Sequence, residues 1–342
     1  MNVTEKLGLL PQLFRFAYYE PDVSGFTYWF AQKLGLPFRL ATPVSWQHAW
    51  VDGALTTPER IFGTQMAHRY SFHLVAQKEH QAGLTAFGYQ NVVAVGYPYL
   101  YMADLGVPKK ARLPNSLLVV PPHSLSDTSE NWDEAQLLHR IHALKPHFET
   151  IVFCIHQQCI QKGYWLKNLE HFGFDYVIGS HANDANSLAR MYQLFNMFES
   201  VTTNNWGSHV LYAAYSGAKV SAIQPFFEKT ARNYTKKPYI NEQYRQANLE
   251  KLASFRYEAV RQQYPFFFCE PFEAIAQISW AQAQIGLENK KTITALAILL
   301  HWNFWGQIRA LPYLFRRNIT AFLNLSSHTL VLKQFLKQYF KF

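Results

Sequence analysis

Several things are scarce in this chain, and each scarcity excludes something. Charged residues make up only 16% against 49% hydrophobic, which excludes wholesale disorder and assures a sizeable core. Three cysteines, Cys154, Cys159 and Cys269, cannot build a disulfide framework. Their apolar or aromatic surroundings predict buried free thiols in a reducing compartment. No long hydrophobic run is present. The longest apolar stretch, 293–306, is interrupted by His301 and Asn303 and falls short of the roughly 20 residues a membrane-spanning helix needs. The opening MNVTEKLGLLPQLF lacks a basic start, a long apolar centre and a small-residue cleavage site, so no signal peptide is expected. Gly-x-Gly-x-x-Gly, Gly-x-x-x-x-Gly-Lys and His-Glu-x-x-His do not occur, which argues against a dinucleotide loop, a P-loop and a zinc-protease helix. No Asp-x-Asp occurs either.

What is abundant is aromatic and basic. Phe, Tyr and Trp number 27, 20 and 9, and 32 Lys and Arg face 23 Asp and Glu, a net charge of +9. A length of 342 residues predicts two domains. Residues 286–342 hold eight basic residues and one acidic one, so the tail carries +7 and residues 1–285 only +2. No basic stripe crosses the main body, and no nucleic-acid partner is expected. Within the tail, Lys333, Lys337 and Lys341 recur on one helical face, with Phe335 and Tyr339 among the apolar residues of another. This predicts either an anchor on an anionic membrane surface or a helix packed on the body with its lysines in water.

Between these ends the chain alternates. Strands are expected at 91–95, 116–120, 150–155, 176–178, 200–203 and 219–223, and helices at 131–144, 160–172, 185–198 and 207–216. Such βαβ units imply a parallel sheet covered on both faces. The run GVPKKARLP (106–114) reads as an interdomain linker. Towards the N-terminus, 38–41 and 44–46 look like short strands, 58–73 a loop and then a helix, and 72–87 a helix.

Ligands of parallel sheets bind at the carboxyl ends of the strands, where helix N-termini offer free N–H groups to anions. The residues there are His156 after 150–155, Gly179, Ser180 and His181 after 176–178, and Asn204, Gly207, Ser208 and His209 after 200–203. Gly207 and Ser208 open a helix and suit a phosphate or diphosphate. The competing reading is a serine that merely caps its helix. Cys154, His156 and Cys159 lack a second ligand pair at zinc spacing, so no metal is expected there. Tyr215 and Lys219 fit the Tyr-x-x-x-Lys of short-chain dehydrogenases. Lys219 falls in a turn before a strand, and the dinucleotide loop is missing.

The segments PVSWQHAWVDG (43–53), VVAVGYPYLYM (92–102), SLLVVPPHS (116–124), TIVFCIHQQ (150–158) and 201–221 resemble the GT-B glycosyltransferases. The closer likeness is to bacterial cell-envelope and capsule transferases, including the CDP-glycerol glycerophosphotransferase group. The resemblance covers about residues 40–225. It implies an α/β fold of two Rossmann-like domains whose parallel sheets face a cleft: an acceptor-side domain at 1–112, a nucleotide-donor domain at 113–285 and a helical tail at 286–342. It further implies His48 as candidate catalytic base and His156 facing the donor phosphates. Asp52, four residues on, is offered by its spacing as the partner of His48 or as the base itself. The competing readings are a packing histidine between Trp46 and Trp50, and ordinary capping or loop roles for His156 and His209. Two departures stand out: the N-terminal domain is short, and no Glu sits near the Gly-Ser helix where many such enzymes grip a ribose.

The expected activity is metal-independent transfer of a sugar from a nucleotide donor to a glycan or lipid-linked acceptor, as in capsule or lipopolysaccharide synthesis. The nucleotide sugar is then substrate, no separate cofactor is needed, and the site of action is the cytoplasmic face of the membrane. The alternatives are a nucleotide-sugar 2-epimerase of the same fold and a non-catalytic membrane-surface binding protein.

Overall fold

Short apolar runs rich in Val, Ile and Leu pair into two separate sheets in the computed structural model, which describes residues 7, 10–12, 23–35, 44–47, 49–62, 72–124, 130, 132–179, 184–228, 249–306 and 308. The first sheet holds β1 (Val44–Trp46), β2 (Phe72–Val75) and β3 (Val92–Ala94), parallel and in that order. The second holds β4 (Leu113–Val120), β5 (Thr150–Ile155), β6 (Asp175–Ile178), β7 (Phe198–Thr203) and β8 (Lys219–Ala222), all parallel, in the order β6-β5-β4-β7-β8. Leu118 of the central strand lies opposite Val152 on one side and Val201 on the other. Leu117, Leu118 and Val119 are all buried, as a parallel strand covered on both faces requires. The strand order reverses between β4 and β7, which makes that junction the topological switch point.

The helices are α1 (Phe26–Lys33), α2 (Glu59–Phe62), α3 (Lys78–Ala86), α4 (Glu134–His142), α5 (Gln157–Gln161), α6 (Leu166–Phe172), α7 (Ser187–Met197), α8 (Ser208–Tyr215), α9 (Tyr257–Gln263), α10 (Ile278–Gln284) and α11 (Ile293–Leu299). Two expectations need correction. Residues 72–87 are not one helix: Phe72–Val75 is the middle strand of the first sheet, and α3 starts only at Lys78. Its burial on both sides hides the alternation that identifies a strand, and His73 is accommodated by a 2.9 Å contact between its Nδ1 and Ser45 Oγ. The helix expected at 160–172 is two, α5 and α6, broken where Trp165 takes a left-handed backbone (φ 72°) and turns into the core. Glu134 holds that break, accepting the Trp165 N–H at 3.0 Å and Asn168 Nδ2 at 2.7 Å.

The run expected to link the two sheets is pinned in its middle. Lys110 donates to Leu7 O, and Arg112 donates to Phe198 O at 2.8 Å and Ser216 O at 2.6 Å. Beyond β8 the chain returns to the first sheet, where Tyr97 N–H donates to Ile285 O and Gln77 Nε2 to Gln284 O. Gly286 (φ 77°) lies so close that a Cβ there would stand 2.2 Å from Ala76 O, which only glycine avoids. One hydrophobic core therefore runs through both sheets, with Phe26 edge-on to Trp46 at 4.6 Å and Tyr99 stacked on Tyr212 at 4.3 Å. Among the described residues no helix is long and apolar enough to cross a membrane. The tail residues Lys333, Phe335, Lys337, Tyr339 and Lys341 lie outside the described residues, as do His48, Ser180 and His181.

Candidate functional site

At the switch point β7 ends in Thr203, and the chain passes through Asn204, Asn205, Trp206 and Gly207 into α8. Thr203 stitches this turn together. Its hydroxyl donates to Val120 O at 2.7 Å, joining the ends of β4 and β7. The same hydroxyl lies 2.9 Å from Asn205 Oδ1 and 3.0 Å from His209 Nε2. Burial lowers the His209 pKa to about 4 despite an opposing bond to the Asn205 backbone, so its ring is neutral at pH 7. His209 is thus a neutral hydrogen-bonding group here rather than a cation. Asn204 Nδ2 donates to Pro225 O at 2.9 Å, while its Oδ1 is buried without a partner among the described residues.

No side chain caps α8. Ser208 is its first residue, and its Oγ accepts the Trp50 N–H at 2.9 Å. The first N–H groups of α8 are left without intrahelical partners, as at any helix start. The Ser208–Trp50 bond joins the turn after β7 to the loop after β1, so the carboxyl ends of the two sheets meet here. Trp50 is buried in an aromatic cluster, 5.7 Å from Trp206, 5.9 Å from Tyr264 and 5.6 Å from Trp280. Its Nε1 donates to Gln284 Oε1 at 3.2 Å.

The loop after β1 is built on Gln47. Its Oε1 accepts the Ala76 N–H at 2.9 Å and faces His80 Nδ1 at 3.1 Å, and its Nε2 donates to the Tyr97 hydroxyl at 2.9 Å. The same hydroxyl accepts the Val51 N–H at 3.0 Å. Asp52 is tied to α9: its carboxylate accepts Gln263 Nε2 at 2.6 Å and the Tyr264 hydroxyl. Burial, reinforced by Asp52, pushes the Tyr264 hydroxyl well above the tyrosine range.

Asp52, Asn204, Gly207, Ser208 and His209 thus surround one junction. His156 and Gly179 stand apart from it, after strands two and three positions along the sheet from β7, on the order of 10 and 14 Å at the usual strand spacing. His156 caps α5 by accepting the Gln158 N–H at Nδ1, and its ring lies 5.2 Å from His123, which follows β4. Gly179 is a packing position, where a Cβ would stand 2.7 Å from Cys154 Sγ. Its carbonyl accepts Arg190 Nε at 3.1 Å. Cys154 and Cys159 are buried, and the Cys154 thiol is pushed up to about 12 by burial. Lys219 Nζ pairs with Glu199 at 2.8 Å, which leaves the Tyr215/Lys219 pattern without its chemistry. Gln47, Trp50, Trp206 and His123 are given no role by the sequence alone. Their one signal is position, within four residues of a strand end.

No family model matches the chain, and no curated protein matches it. Among solved structures it is similar to the pneumococcal O-GlcNAc transferase GtfA in complex with UDP and GlcNAc (13% identity, TM-score 0.35, covering 75% of this chain and 51% of that one). It is also similar to the wall teichoic acid polymerase TagF (14% identity, TM-score 0.35, 78% and 68%). A third is UDP-GlcNAc 2-epimerase from Neisseria meningitidis bound to UDP-GlcNAc (11% identity, TM-score 0.28, 65% and 62%). The chain spans about half the length of the first of these.

Proposed function

We propose that this chain is a GT-B-type glycosyltransferase that takes a sugar from a nucleotide donor at the switch point of the second sheet. One observation carries the reading: α8 opens at the switch point without a side-chain cap, and its first residue is bonded directly to the loop that carries His48 and Asp52. A helix N-terminus there favours a diphosphate, and the loop bonded to it carries in its sequence both candidate bases, His48 and Asp52.

The chemistry is a displacement. His48 takes the proton of an acceptor hydroxyl, the oxygen attacks the anomeric carbon, and the bond from that carbon to the diphosphate oxygen breaks. The negative charge leaving with the nucleotide is met by the N–H groups of α8 and by the Ser208 hydroxyl. The donor is substrate, and no further cofactor is called for. The +7 tail directs the acceptor to a glycan or lipid-linked molecule at the cytoplasmic face of an anionic membrane.

The test is His48→Ala. Transfer should fall by at least about 100-fold, the scale of general-base catalysis, with nucleotide affinity unchanged. Unaltered turnover removes His48 from the mechanism.

A further inference from the structure

One strand beyond the switch point, at the end of β8, is a cavity of about 360 Å³ that none of the residues of the junction lines. We infer that it is a separate binding site for an uncharged saccharide, of one or two sugar units.

Charge is the first argument. Two guanidiniums, Arg140 and Arg261, and two carboxylates, Glu270 and Glu273, line the cavity, so its formal charge is zero. A phosphate would meet the carboxylates and a polyamine the guanidiniums, and neither suits it. The second argument is hydrogen bonding. Arg140 pairs with one oxygen of Glu270, and the other, Oε2, is buried with no partner among the described residues, an acceptor that calls for an O–H or N–H. Arg261 spends one Nη1 contact on the Tyr257 hydroxyl at 3.2 Å and keeps further donors. The planar Glu273 carboxylate adds two acceptor directions at fixed spacing, which matches vicinal hydroxyls.

Shape is the third. The rings of Tyr257 and Phe268 stand at 84° with centroids 5.4 Å apart, and both line the cavity. The Arg261 guanidinium lies 5.7 Å over the Tyr257 ring, so Phe268 supplies the apolar wall for the C–H face of a sugar ring. The volume lies at the small end of ligand pockets, which fits one or two rings. The inference does not depend on the transferase reading, because a saccharide site stands or falls whether or not α8 binds a nucleotide.

The experiment is ligand-observed saturation-transfer NMR on the full chain. The panel is neutral hexoses, N-acetylhexosamines and their disaccharides at millimolar concentration, with glycine and inorganic phosphate as charged controls. At least one saccharide should receive saturation, and the signal should persist under saturating UDP or CDP. Arg261→Ala, on an exposed position of α9, should weaken it roughly tenfold, as should Phe268→Ala, with the thermal midpoint of the Arg261 variant unchanged. Silence across the saccharides, binding of the charged controls alone, displacement by nucleotide, or undiminished binding in the Arg261 variant each overturns the site. Absence of nucleotide binding would count against the transferase reading and leave this one standing.

Discussion

Ser208 opens α8, yet its hydroxyl serves the other sheet, accepting the Trp50 N–H. Removing it leaves that N–H without a partner beside the aromatic cluster of Trp50, Trp206, Tyr264 and Trp280. Ser208→Ala should therefore cost about 1–2 kcal/mol in urea unfolding and also weaken nucleotide binding. Unchanged stability would mean the bond does not form. The imidazoles make a second prediction at this scale. Burial lowers His73, His80 and His209 each to about 4, against 6.5 when unfolded. Between those values the unfolded chain binds more protons than the folded one, so stability is full above about pH 6.5 and declines as pH falls toward 4. The melting temperature should drop steadily from pH 7 to 5. A flat profile would show that these rings are not held neutral.

At the scale of elements, the sequence was most legible where strands and helices alternate. Thr150–Ile155 coincides with its expected bounds, and the others of the second sheet agree to within a few residues, because each apolar run is bracketed by polar turns. It was least legible where burial overrides local pattern, as in β2, read as helix, and at Trp165, whose core position breaks a helix that periodicity alone would continue. The return of the chain to the first sheet was illegible for a different reason, since Gly286 and Ala76 are remote in sequence. That return makes its own prediction. Gly286→Ala combines a left-handed backbone with a Cβ at 2.2 Å from a carbonyl, so it should destabilise by more than about 1–3 kcal/mol, measured by denaturant titration. A neutral effect would show that the contact is loose. The tail gives another: deleting residues 325–342 should release the protein from anionic liposomes in co-sedimentation while leaving nucleotide affinity unchanged. A truncated chain that unfolds would make that segment structural instead.

For the whole molecule, the same logic explains which half of the candidate site could be read in advance. Asn204, Gly207, Ser208 and His209 are consecutive or nearly so, and strand-end position alone points to them. The partnership of Ser208 with Trp50 spans 158 residues and needs the two sheets assembled. Because one hydrophobic core passes through both sheets and both chain directions cross between them, calorimetry should show a single unfolding transition. Two resolved transitions would mean that the sheets fold as independent units. The central claim is that the α8 start at the switch point binds the diphosphate of a nucleotide. Its most direct measurement is isothermal titration of the full chain with UDP, CDP, CMP, GDP and TDP, repeated on the Ser208→Ala variant. The account predicts that at least one diphosphate binds, CMP more weakly than CDP, and that the variant loses roughly tenfold in affinity. No binding by any of the five, or equal binding by the variant, would contradict it.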